Sequence, residues 1–213
     1  MKIALIALAC GVLVAACGGQ VEEMKKSIDA VEQLADKAEE MEKSANEAEQ
    51  VYKERASKGD TVAMPYKDLQ GYLPSSISGY KTEGDPSGSQ QSMQGWSMSN
   101  AEQRFVSEAG NGAQIKVTIT DLGGTEGAYG MMAIPLMMGI SMEDDHQKTG
   151  TVNLDMAQTS GAATFNKETK STSVLIGTRY RYMITMESNG AGEDHTQLLT
   201  DLGKDIAKKF DGK

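Results

Sequence analysis

The sequence predicts an α+β protein: one antiparallel or mixed sheet with two packed helices, preceded by a long N-terminal amphipathic, coiled-coil-like helix. Three observations carry this reading. Residues 20–58 contain no Gly or Pro and repeat apolar residues at helical spacing. After Gly59 the chain becomes rich in Gly, Ser and Thr, and short runs alternate apolar with polar residues. Two further helical stripes, near 126–142 and 195–210, interrupt those runs.

Composition sets the outer bounds. A chain of 213 residues holds one or at most two domains. Its 21 Lys and Arg face 30 Asp and Glu, a net charge of −9. Phosphate affinity needs a basic footprint, so a nucleic-acid partner is excluded, and polybasic docking on anionic lipid is disfavoured. Two His and two Cys supply little for a zinc site or a disulfide framework. Aromatic residues are only 5%, so the core must be built from aliphatic side chains and Met.

The first 20 residues read MKIALIALACGVLVAACGGQ. Lys2 is a short positive region, and the apolar run Ile3–Ala16 is too short to span a bilayer core, which takes about 20 residues. It fits the apolar part of a secretion signal. The run closes on Val14-Ala15-Ala16-Cys17, then Gly18-Gly19. This resembles the lipobox of bacterial lipoproteins: an aliphatic residue, two small residues, then Cys. The resemblance implies lipid transfer to the Cys17 thiol, removal of residues 1–16, acylation of the new amino terminus, and a lipidated tether at 17–19. Val14 and Ala16 also satisfy an ordinary signal-peptidase site, which would leave Cys17 a free thiol. Cys10 lies in the part removed. By analogy with that family, Gly18 rather than Asp after the Cys favours the periplasmic face of an outer membrane where the cell has one.

Residues 20–58 form a predicted helical stalk. Met24, Ile28, Val31, Leu34, Ala38, Met41, Ala45, Ala48 and Tyr52 recur at spacings of three and four. Glu39 with Lys43 and Glu49 with Lys53 are favourable i,i+4 pairs. So narrow a stripe must pack on something. A homo-oligomeric coiled coil through residues 24–52, packing on the chain's own domain, and an extended charged spacer all remain open. Gly59-Asp60 is expected to end the helix.

Residues 60–213 form the predicted α+β domain. Gln114–Thr120, Thr151–Met156 and Ser173–Glu187 alternate well. The last would place Val174, Ile176, Tyr180, Tyr182, Ile184 and Met186 on one face, with Arg179 and Arg181 on the exposed one. Weaker strands are expected near 78–83, 91–98, 102–109 and 162–167. Turns are expected at 83–88 and 110–112. Asp194 to Gln197 reads as a capping box opening a helix with Leu198, Leu199, Leu202, Ile206 and Phe210 on its stripe. Pro135 is expected to kink the helix near 126–142.

Several residues could carry chemistry, and each has a plainer reading. Met131, Met132, Met137 and Met138 fall in an apolar stretch. Thioether sulfur suits Cu(I), but Met also fills cores and lines adaptable grooves, and no His or Cys accompanies the sulfurs; a buried helix is the leading reading. Arg179 and Arg181 could grip a carboxylate or a sugar, although such residues more often form cross-strand ion pairs. Glu143-Asp144-Asp145-His146 and Glu193-Asp194-His195 could share a divalent ion only if folding joins them, and solvated turns are the simpler assignment. Asp121-Leu122-Gly123-Gly124-Thr125 resembles the first phosphate loop of sugar kinases in the actin-like ATPase superfamily. The likeness covers five residues of a chain too short for that fold, so a strand-to-helix turn is preferred.

No nucleophile elbow, zinc-protease helix or EF-hand loop is present in the sequence. The expected function is therefore a lipid-anchored cell-envelope lipoprotein: a non-catalytic structural or binding module with no cofactor and no resident metal. Its expected partners are the membrane, reached through Cys17, and an envelope protein or small ligand. The alternatives are a carrier or sensor of an apolar ligand beside the Met-rich helix, and an envelope copper-binding protein.

Overall fold

A computed structural model describes residues 42–93, 96–123 and 141–211. Every described residue belongs to one compact unit, Lys37–Lys213. Alternating residues become strands β1 (Tyr80–Met93), β2 (Trp96–Ser107), β3 (Gln114–Asp121), β4 (Met142–Glu143), β5 (Gln147–Val152), β6 (Thr159–Asn166), β7 (Ser171–Thr178) and β8 (Tyr182–Asn189). They form one eight-stranded sheet in the order β1-β2-β3-β8-β7-β6-β5-β4. Each neighbouring pair is antiparallel, so the sheet is antiparallel and not mixed. The chain meanders through β1 to β3, restarts at the far edge with β4, and walks back to lay β8 beside β3.

Cross-strand pairing places the core on one face. Phe105 pairs with Ile115, Val117 with Met186, Ile119 with Ile184, Ile184 with Ile176, and Met186 with Val174; all are fully buried. Helix α2 (Tyr66–Gln70) packs on β1 and β2 of this face through Leu69, and α3 (Thr196–Lys208) packs on β6, β7 and β8 through Leu199 and Ile206. Phe210, just past α3, stacks between Tyr72 (ring centroids 4.5 Å) and Tyr182 (4.1 Å). The second face is largely polar, with a Lys116–Glu187 ion pair and a Thr149–Thr164 hydrogen bond. A small apolar cluster, Leu122 and Met183 with Met98, Ala162, Leu175 and Tyr180, interrupts it.

Residues 42–57 form helix α1. Its partly buried positions are Ser44, Glu47, Ala48, Val51, Tyr52 and Arg55, a regular stripe. This face shares Ala48 and Tyr52 with the seam expected from sequence, but Ala45 is exposed. The helix ends as expected: Gly59 sits at φ +74°, its N–H donates to the Ala56 carbonyl, and the Asp60 N–H reaches back to the Arg55 carbonyl. That is a Schellman motif, and the left-handed residue in it favours glycine. The earlier part of the stalk, residues 20–41, lies outside the described residues.

Six local expectations are corrected. Ser173–Glu187 is not one strand but the β7–β8 hairpin, turning over Thr178–Arg181 with the Arg181 N–H donating to the Thr178 carbonyl. Arg179 and Tyr180 both take positive φ there, 59° and 49°, without the Gly or Asn that usually announces such a turn. Residues 83–88 are a bulge inside β1, where the register shifts between Glu83 and Ser87. The predicted strand 91–98 instead straddles the end of β1 and the start of β2. β5 stops at Val152, although Leu154 beyond it is buried. The capping box does not form: the Asp194 side chain accepts from the Thr196 N–H, and Gln197 donates to Asp201 instead. Met142, counted with the Met-rich helix, pairs with Thr149 in β4; residues 124–140 lie outside the described residues.

Candidate functional site

The densest polar chemistry gathers where β3 ends and β8 begins. Three short-range features deliver it. The Schellman motif closing α1 positions Asp60 beside the sheet. The alternation of β3 turns its last residue, Asp121, to the core face, where it is fully buried. The left-handed turn before β8 sends Arg181 inward, where it is 8% exposed.

Arg181 then engages its whole guanidinium. Nε donates to Asp121 Oδ1 at 2.7 Å and Nη2 to Asp121 Oδ2 at 2.9 Å, a bidentate pair. Nη1 donates to both Asp60 oxygens, at 3.0 and 2.9 Å, and Nη2 also reaches the Val62 carbonyl at 3.3 Å. Asp121 Oδ2 accepts the Met64 backbone N–H at 2.7 Å. Arg55 of α1 completes the cluster, its Nη2 donating to the Gly123 carbonyl at 3.3 Å. Arg55 Nε and Nη1 are buried without a hydrogen-bond partner.

Two guanidinium groups and two carboxylates make the cluster neutral. Burial opposes the charge on Arg181, but the hydrogen bonds and attraction of Asp121 outweigh it, and its pKa lies above the ordinary guanidinium value. Arg55 is moved the other way, first by burial and then by repulsion from Arg181. Arg181 also stands 5.1 Å from the Tyr182 ring centroid, and burial, working against the attraction of Arg181, raises the Tyr182 phenol to about 12. Such a cluster, buried at Arg181 and Asp121 and open to solvent at Asp60, holds segments together; it offers no free acid, base or nucleophile. At the same end, the Tyr180 hydroxyl donates to Glu47 of α1 at 2.7 Å.

No protein-family model, curated protein or solved structure gives a significant match to this chain.

Arg181 is not on the exposed side of a strand as expected; the reversal at Arg179-Tyr180 rotates it into the interior. Arg179 lies on that turn. Asp121 of the phosphate-loop-like run has its carboxylate committed to Arg181 and to a backbone N–H, so it does not face a nucleotide or its metal. Cys17, Met131, Met132, Met137 and Met138 lie outside the described residues.

The two His-bearing acidic runs do not combine. Among the described residues no group of three His, Cys, Asp or Glu side chains is arranged to hold a metal ion. His146 pairs with Glu168 at 2.7 Å on the surface, while Asp144 accepts the His146 and Gln147 N–H groups. Those bonds, Gln147's first, hold the exposed Asp144 carboxyl below the usual range. His195 is buried: Nδ1 meets Ser188 Oγ at 2.8 Å, Nε2 lies 3.4 Å from Glu193, and its N–H donates to Thr172 Oγ1. The order Ser, His, Glu has the outline of a hydrolytic triad. Yet Ser188 is only 1% exposed, so a substrate carbonyl has no approach to it. The group fastens the start of α3 to β7 and β8.

A groove of about 390 Å³ lies between β5, β6 and the start of α3, lined by Lys148, Thr151, Val152, Asp194 and Gln197 among others. A smaller one of about 260 Å³ lies over β6, β7 and β8. Neither touches the charged cluster. Sequence reasoning missed Arg55 and Asp60 as members of that cluster. Asp60 and Arg181 are 121 residues apart, and no local pattern links them.

Proposed function

We propose that this chain is a lipid-anchored cell-envelope protein whose α+β unit works as a non-catalytic interaction or binding module. The observation that carries the anchor is the run Val14-Ala15-Ala16-Cys17 closing a short apolar leader. Two acyl signals hold a protein in a bilayer far more firmly than one. The periplasmic face of an outer membrane is the favoured residence where the cell has one. Support for the non-catalytic part comes from commitment of the reactive groups: Arg181 and Asp121 bind each other, and Ser188 and His195 are enclosed at a helix junction.

Two measurements on the full chain in a bacterial host test this. Feeding a clickable palmitate analogue should label the membrane-bound protein, and Cys17→Ser should abolish the label and release the chain to the soluble fraction. An unmodified Cys17 thiol in the intact-mass spectrum would sink the anchor. A fluorophosphonate probe should leave the protein unlabelled; adduct formation at Ser188 would sink the non-catalytic reading.

A further inference from the structure

A sheet edge is a row of unpaired backbone donors and acceptors, and proteins blunt such edges with charge, Pro, bulges or short strands. The two edges of this sheet are treated differently. At one, β4 is only two residues long. At the other, β1 runs 14 residues and changes character halfway. Its first half carries Lys81, Glu83, Asp85 and Pro86 and contains the bulge between Glu83 and Ser87. Side chains also reach carbonyls there: Gln103 donates to Gly84 and Gln70 to Pro86. The second half, Ser87-Gly88-Ser89-Gln90-Gln91-Ser92-Met93, has no charge, no Pro and no bulge. It pairs in unbroken register with β2, from Ser87 opposite Glu102 to Met93 opposite Trp96. Residues 89–93 are all exposed, Gly88 is half-buried, and Met93 is 75% exposed. In an antiparallel ladder every second residue turns its N–H and C=O away from its partner, so this half presents a row of them that no charge, Pro or bulge defends, although the Ser89 N–H is taken by Asn100 Oδ1.

We propose that Ser87–Met93 pairs with the same segment of a second copy of this chain, joining two sheets edge to edge about a two-fold axis. An extended peptide from an unlike protein would be selected by side-chain pockets along the edge. This edge has none to offer, because four of its seven residues are Ser or Gly. An identical antiparallel strand needs no pocket: Ser87 falls opposite Met93, and Gln90 falls opposite Gln90. Each Gln amide supplies both a donor and an acceptor to its symmetry mate. Neutrality matters too, since two chains of net charge −9 can approach there without placing like charges face to face. A seven-residue edge makes a small interface, so the dimer is a weak one.

Sedimentation equilibrium of the full-length chain in detergent micelles tests this, at about 100 µM to populate a weak complex. A dimer is expected. Gln90→Lys sets two like charges on the two-fold axis and should weaken association at least about tenfold. The same charge on the exposed Ser75 should leave the dimer intact. Gln90 is solvent-exposed, and unchanged circular dichroism and melting would show that the variant folds. A monomeric parent chain overturns the proposal. So does a dimer indifferent to Gln90→Lys, which is the outcome if copies join elsewhere, for example through residues 24–52.

Discussion

Tyr182 lies between a cation and a ring: Arg181 on one side and Phe210 stacked at 4.1 Å. Its phenol holds its proton up to about 12, against 10.0 for an ordinary tyrosine, chiefly because burial disfavours the phenolate. A proton held more tightly by the folded form adds stability that is complete below the unfolded pKa and fades as pH rises from about 10 toward 12. Urea unfolding measured across that window should show a falling midpoint, and Tyr182→Phe should flatten the fall. Part of a slope should remain from Tyr80, which burial and Glu193 also raise. An equal slope in Tyr182→Phe would show that other groups carry it. At this scale the sequence was legible only where chemistry is local. Gly59 was readable as a helix stop because its conformation is set by its neighbours. The inward turn of Arg181 was not, because alternation runs on unbroken from β7 through the turn into β8. Nothing in Thr178-Arg179-Tyr180-Arg181 marks a reversal of direction.

Gly88 shows how closely the elements are fitted. A Cβ there would lie 2.5 Å from the Asn100 carbonyl oxygen of β2 and 2.8 Å from the Tyr66 ring of α2. A backbone atom cannot swing aside, so Gly88→Ala should part the β1–β2 hairpin from α2 and cost about 1–3 kcal/mol, read as a lowered urea midpoint. A midpoint equal to the parent's would mean that β1 yields freely at this point. Long periodic elements were legible before folding was known: β3, from Ile115, Val117 and Ile119, and α3, from Leu199, Ile206 and Phe210. Short or irregular ones were not. α2 is five residues long and buries Leu69 alone, too little to show a period. The bulge in β1 is built from Gly84, Asp85 and Pro86, the residues that elsewhere make turns. Only pairing with β2 on both sides keeps the chain extended there.

Across the whole molecule, the Arg181 cluster ties together pieces that are far apart in sequence: Asp60 after α1, Asp121 at the end of β3, and Arg181 before β8. Asp121→Asn keeps the shape but removes the charge facing a buried guanidinium. It should lower stability by about 3–5 kcal/mol, measured by chemical unfolding, since breaking a buried pair strands its partner. A change below about 1 kcal/mol would show that Asp60 alone suffices for Arg181. The fold class was legible from the change of pattern after Gly59. The strand order was not, because the apolar residues of β3 (Ile115, Val117, Ile119) and of β8 (Tyr182, Ile184, Met186) do not name the other strand as their neighbour. That seam has a consequence for biogenesis. A chain delivered amino end first exposes β1 to β3 while the strand that flanks β3 is still unmade. The central pairing waits for residues 182–189, and distant pairings of this kind form slowly. On the proposed export route, a channel that accepts only unfolded polypeptide would thus meet this protein while its sheet is still in two unjoined halves.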